Sequence, residues 1–259
     1  MGSQLLETAG RFIIYSLLLL FVNFLSAAHA ADIDGEYRDA ALVFEKRDMA
    51  STARAVAMLE KVLEQKPDHI DAQALVAFAY AHEAFVLTQM GEKATDYQNS
   101  ADAFAKAVQA QQPENPSARK ATLYLQLMSS NAGDARKTLE KVVTEKETDA
   151  DLWYMLAIAG DADKSKNYLG RALAINSEHV WIYTDMAFRA LKLGDTAIAE
   201  KWITALEAKR PSIPEIPLLH AVVAAQKKDK KRAQEQWAEF ARRMPDSPLV
   251  LRLNPAKKK

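Results

Sequence analysis

The chain has 259 residues, 49% of them hydrophobic, with eight Gly and nine Pro; that is ample for a folded core and too turn-poor for an all-β protein. It has no cysteine, which excludes disulfides, thiolate zinc sites, cysteine nucleophiles and a cysteine-linked lipid anchor. Its 34 basic and 34 acidic side chains balance to zero, so nothing global points to nucleic acid.

In chain order, the first feature is the apolar run Phe12–Leu25, preceded by Arg11 and followed by Ser26-Ala-Ala-His-Ala30. The run is shorter than the roughly 20 residues that span a bilayer comfortably, and Ala28-His29-Ala30 has the small-x-small pattern of a signal-peptidase site. Residues 1–30 therefore read as a signal peptide cleaved near Ala30, leaving a periplasmic chain. The alternative is an inner-membrane anchor formed by residues 12–28. Residues 31–248 are the expected folded domain, and 249–259 a C-terminal tail with a basic end.

Beyond Ala31 the composition favours helix, because Ala, Leu, Glu, Lys and Gln lose little side-chain freedom there. Helical stretches of matching character close at Pro67, Pro113, Ser177, Pro211 and Pro245, the last three 34 residues apart. Proline cannot continue a helix and pushes the residue before it out of helical geometry. Asp71 to Met90 reads as one long helix before Gly91. Pro116 to Glu147 contains the shortened turn Asn131-Ala-Gly-Asp134, and Gly160-Asp-Ala-Asp-Lys164 is a second short turn.

The unit after Asp149 carries Trp153-Tyr-Met-Leu156-Ala157. The next carries Tyr183, Met186, Ala187, Gly194, Asp195, Ala199, Ile203, Leu206 and Pro211, and the last Pro217, His220, Ala221, Ala233, Trp237, Phe240 and Pro245. A 34-residue helix–turn–helix unit with this pattern resembles the tetratricopeptide repeat. The resemblance covers roughly residues 34–245 as about six units, and it implies an all-α superhelical solenoid of antiparallel helix pairs. Small residues such as Ala157, Ala187 and Ala199 then let helices approach closely, and stacked neighbours supply the core.

The resemblance also implies a concave groove lined by the first helix of each unit. Carried over by position, its lining is Tyr154, Ile158, Trp181, Thr184, Phe188, Leu191, Leu218 and Val222. That apolar and aromatic set is expected to be an exposed trough gripping a partner segment, unless the tail Leu249–Leu253 folds back over it. Thr184 and Phe188 stand where clamps for a chain-terminal carboxylate would be needed.

A second candidate surface is basic. Lys227, Lys228, Lys230, Lys231 and Arg232 cluster at a turn, and with Arg242, Arg243 and Lys257–Lys259 they are expected to form a cationic end for an acidic protein or anionic lipid. His69, His82, His179 and His220 are scattered, and His82-Glu83 lacks the second histidine of a zinc motif. The expectation is a non-catalytic scaffold of the bacterial envelope binding another envelope protein, with no cofactor, metal or nucleic acid. The alternative is a transporter-associated module for a small apolar ligand, with Phe78, Tyr80, Phe85 and Leu87 of the long helix lining a pore.

Overall fold

The computed structural model describes residues 33–253 apart from 146, 147 and 161, and every regular element among them is helical. The segment read as signal peptide or anchor lies outside the described residues. Six helix pairs follow one another. Helices α1 (residues 33–44) and α2 (Met49–Gln65) form the first, α3 (Ile70–Gln89) and α4 (Thr95–Gln111) the second. The third is α5 (Pro116–Leu127) with α6 (Ala132–Glu145), and the fourth α7 (Ala150–Ala159) with α8 (Ala162–Ile175). Helices α9 (Val180–Lys192) and α10 (Thr196–Lys209), then α11 (Glu215–Gln226) and α12 (Lys230–Arg243), complete the series, and α13 (Pro248–Leu253) caps it. This is the all-α, tetratricopeptide-like solenoid expected from the repeat.

Proline sets the rhythm. Lys66, Gln112, Arg210 and Met244 each precede a proline, and all four leave the helix at φ near −130° to −138°. Each still donates its N–H to the carbonyl four residues back. The starts are equally local, since Asp48, Asn115, Asp149, Asp195 and Asp229 accept backbone N–H groups of the next turn, each such cap contributing about 1 kcal/mol. In the third pair, α6 begins at Ala132, so Gly133 and Asp134 belong to its first turn and the link is Met128–Asn131.

Within four pairs, the turn between the two helices uses one left-handed residue. Gly91 and Gly194 have φ of +77°, which glycine adopts without steric cost. Lys228 (φ 62°) and Arg47 (φ 56°) hold the same conformation. Arg47-Asp48, Gly194-Asp195 and Lys228-Asp229 thus form one motif, a left-handed residue followed by an N-cap aspartate. A side chain costs about 1–2 kcal/mol in that conformation.

Second helices bury a single stripe: Ala55, Leu59 and Val62 in α2, Ala101, Ala105 and Val108 in α4, Ala199, Ile203 and Leu206 in α10. First helices are buried nearly all round, above all α3, α7, α9 and α11. The cause is closure: besides its sequence neighbours, α3 touches α9 three pairs away. Inner helices therefore meet across the concave side instead of facing water. By length and hydropathy α3 could cross a membrane, and closure accounts for its apolar sides here: it is the central core helix. Of the four residues expected to line a pore along α3, Phe78, Phe85 and Leu87 are packed in that core, while Tyr80 is half-buried.

Candidate functional site

The expected trough is not an open surface. Tyr154, Trp181, Thr184, Phe188, Leu191 and Leu218 are all buried, Trp181 being only 3% exposed. Ile158 and Val222 are half-buried. The repeat pattern places these side chains correctly on inner helices, but their expected exposure is corrected by what covers them. Phe44 of α1 and the turn after it enter the concave side, and the Phe44 ring lies 5.6 Å from Trp181 and 5.7 Å from Phe78. Leu249 and Val250 of α13 join the same buried cluster as Phe188, Leu191 and Leu218, so the tail does pack inward as its apolar residues suggested.

At the centre lies a buried network of charges that the sequence reading did not single out. Arg47 donates to Asp151 at 3.2 Å, Lys120 donates to Asp151 at 2.7 Å and to Asp149 at 3.3 Å, and His179 Nε2 meets Asp151 at 2.7 Å. The Arg47 guanidinium also sits 4.3–5.1 Å from the centres of the Phe44, Phe78 and Trp181 rings, a cation–π cage. Burial alone would push the Asp151 carboxyl up, but Arg47, Lys120 and His179 hold it well below the usual carboxylate range. Beside it, His82 stacks on Trp181 at 3.4 Å and meets Asp185 at 3.3 Å, while Tyr154 donates its hydroxyl to Asp185. Burial lowers the His82 pKa despite Asp185, which favours the neutral imidazole.

This constellation pairs histidines with aspartates, as a general base would be paired. Its geometry is that of a clamp, because every strong partner joins one helix pair to another. Arg47 belongs to the first pair, Lys120 to the third, Asp151 to the fourth, His179 and Asp185 to the fifth. It meets solvent at one edge, a cleft of about 420 Å³ with Glu45, Asp149 and Asn176 in its wall. Among the described residues no group of three or more His, Cys, Asp or Glu is arranged to hold a metal ion. His82 is a core residue. His220 is half-buried and bonded to Glu207 at 2.8 Å.

One stretch of the concave side remains open. A cleft of about 340 Å³ lies where the C-terminal ends of α3, α5, α7 and α9 converge, walled by Phe85, Leu127 and Ile158 and edged by Arg189, Lys192 and Leu193. Leu193 is 85% exposed, a large apolar side chain in water at the rim. Of the trough residues expected from sequence, Ile158 is the one that reaches this cleft.

The expected cationic end divides in two. Lys227 and Lys228 sit in the turn before α12, and Lys230, Lys231 and Arg232 open that helix. Arg242 and Arg243 lie at its far end, roughly 18 Å away at 1.5 Å per residue. Both arginines bind Glu239 at 2.6–2.9 Å; these hydrogen bonds lower the Glu239 carboxyl to about 2. Lys227 is paired with Glu200 at 2.7 Å, and Lys257–Lys259 lie outside the described residues.

No family model matches the chain, and no curated protein matches it. Among solved structures it is similar to the MamA protein, at 14% identity and a TM-score of 0.38, over 69% of this chain and 96% of that one. It is also similar to PilW, a widely conserved type IV pilus biogenesis factor, at 14% identity and a TM-score of 0.47, over 85% and 97% of the two chains. Overlaps of this extent say nothing of what the chain binds.

Proposed function

We propose that this protein is a non-catalytic scaffold of the bacterial envelope, binding another protein at the open cleft between the ends of α3, α5, α7 and α9. The supporting observation is Leu193, left in water at the rim of a cleft that Phe85, Leu127 and Ile158 line together with Gln89, Arg189 and Lys192. Burying one such side chain stabilises a complex by about 1.5–3 kcal/mol, and convergent apolar groups in a hollow are the usual form of a binding anchor. Arg189 and Lys192 at the edge favour a partner segment with acidic residues flanking apolar ones. Of the expected trough residues, Ile158 is the one that lines this cleft. Periplasmic residence after loss of residues 1–30 belongs to the same proposal, and a reporter fused after Leu253 would test it by being active only outside the cytosol.

A photoreactive amino acid in place of Leu193 tests the site in intact cells. The expected result is a discrete crosslinked protein, with recovery of that protein by affinity capture falling at least fivefold for Leu193→Asp. An exposed residue of this kind changes stability by no more than about 0.5 kcal/mol, so unfolding would not explain the loss. Equal recovery with Leu193→Asp would remove the cleft from consideration.

A further inference from the structure

Closure of the solenoid creates a second hollow, distinct from the open cleft, where the first two pairs meet the end of the chain. It encloses about 490 Å³, within the range of small-molecule sites. One side is α2 and α3, another the start of α4 at Tyr97, and the third the link Met244–Ser247 with the first residue of α13. Most of the wall is apolar, including Val56, Ala79, Met244 and Pro248.

Thr52 and Ser247 also contribute to the wall, but their hydroxyl oxygens are shut off from it beneath the surface. Glu83, also in the wall, is paired with no cation among the described residues. Glu60 on α2 is engaged by the Tyr80 hydroxyl at 2.7 Å, Tyr97 comes from α4, Asp185 stands behind on α9, and Asp246 lies on the link. Arg243 is the wall's one basic residue, and its guanidinium is spent on Glu239 and on the carbonyls of Ser212 and Ile213. Burial, with Asp185 adding to it, pushes the Glu83 carboxyl up to about 7.

We propose that this hollow is a binding site for a small amphiphilic primary amine, its ammonium received by Glu83 and its apolar body by Val56, Ala79 and Met244. An ammonium carries the positive charge that Glu83 lacks, and Glu60 and Asp246 in the same wall add to the attraction. An anion would instead meet three carboxylates, and a neutral alkane would leave Glu83 without a counter-charge.

Calorimetric titration of the full-length protein with hexylamine, 1-hexanol and hexanoate at pH 8 tests this. Hexylamine should bind at least tenfold more tightly than hexanol, and hexanoate should not bind. Glu83→Gln should bring hexylamine down to the hexanol level, in a protein whose melting curve shows an intact fold. Below about pH 7 Glu83 takes up a proton while the amine stays charged, so affinity should fall about tenfold from pH 8 to pH 6 in the wild type and not in Glu83→Gln. Nα-acetyl-lysine methylamide is the control for a lysyl side chain of a protein. Absence of hexylamine binding, equal binding of hexanol, indifference to Glu83→Gln, or tighter binding of the lysine amide would each overturn the proposal.

Discussion

Arg47 shows how one residue holds several levels of this structure at once. It takes a left-handed turn position that glycine fills in the fifth pair, and its guanidinium passes into the core between aromatic rings to reach Asp151. Local strain of about 1–2 kcal/mol is offset by a network in which Asp151 receives Arg47, Lys120 and His179. Breaking a buried pair from one side costs about 3–5 kcal/mol, because the remaining charges stay buried without a partner. Asp151→Asn is therefore expected to lower unfolding free energy by about that amount in urea titration, while Arg47→Met together with Asp151→Leu should cost less than the sum of the single changes. Additive losses would mean the two residues do not act as a unit. The sign of the pH effect follows from the depressed Asp151 carboxyl. Its contribution is complete above the unfolded carboxylate value near 4 and is lost as pH falls from there toward the folded value.

At the level of elements, most ends are locally encoded, but α2 is started partly by a residue 166 positions away. Glu215, at the first turn of α11, accepts the N–H of Met49, while Asp48 accepts the N–H of Ser51. Asp48 is in turn held by Arg210 at 2.8 Å. Burial, followed by the charge of Asp48, pushes the Glu215 carboxyl up to about 8. A carboxyl raised on folding stabilises the protein while protonated and loses that contribution as pH rises from the unfolded value near 4.5 toward 8. Glu215→Gln keeps an oxygen for Met49 and removes the charge. Thermal melts at pH 5 and pH 8 should show the variant gaining on the wild type only at pH 8, by at least about 1.4 kcal/mol, the equivalent of one pKa unit. A gain independent of pH would show that Glu215 is not titrating as the fold requires.

In the whole molecule, closure changes what a repeat protein is expected to do. An open solenoid has neighbour-to-neighbour stability, so its ends can fray while the middle stays folded. Here Phe44 and Arg47 of the first pair pack on Trp181 and Asp151, Asp48 binds Arg210, and α3 touches α9. The first pair should therefore unfold together with the fourth and fifth. Native-state amide exchange would show it: Phe44→Ala, expected to cost about 3–5 kcal/mol, should reduce protection in α9 as much as in α2. Protection lost in α2 alone would mean the ends are independent.

Helix pairing, the closing prolines and the inner-helix positions of Tyr154, Trp181 and Phe188 were legible because each rests on local chemistry: a 34-residue spacing, a ring that stops a helix, a small residue where helices touch. The same reading took an inward-pointing aromatic to be a water-facing one, since periodicity identifies a face without saying what lies opposite it. Arg47-Asp48 carried a signal, standing where Gly194-Asp195 stands in a later unit, though only coordinates show where the guanidinium goes. Sequence alone thus determined the helices, their order and their pairing, which depend on neighbours within a few residues. Tertiary structure decided that most of the concave side is covered, that Asp151 is a hub and that Glu83 faces a hollow. Those outcomes depend on superhelical curvature, the sum of small rotations between successive pairs, which brings together residues more than a hundred positions apart.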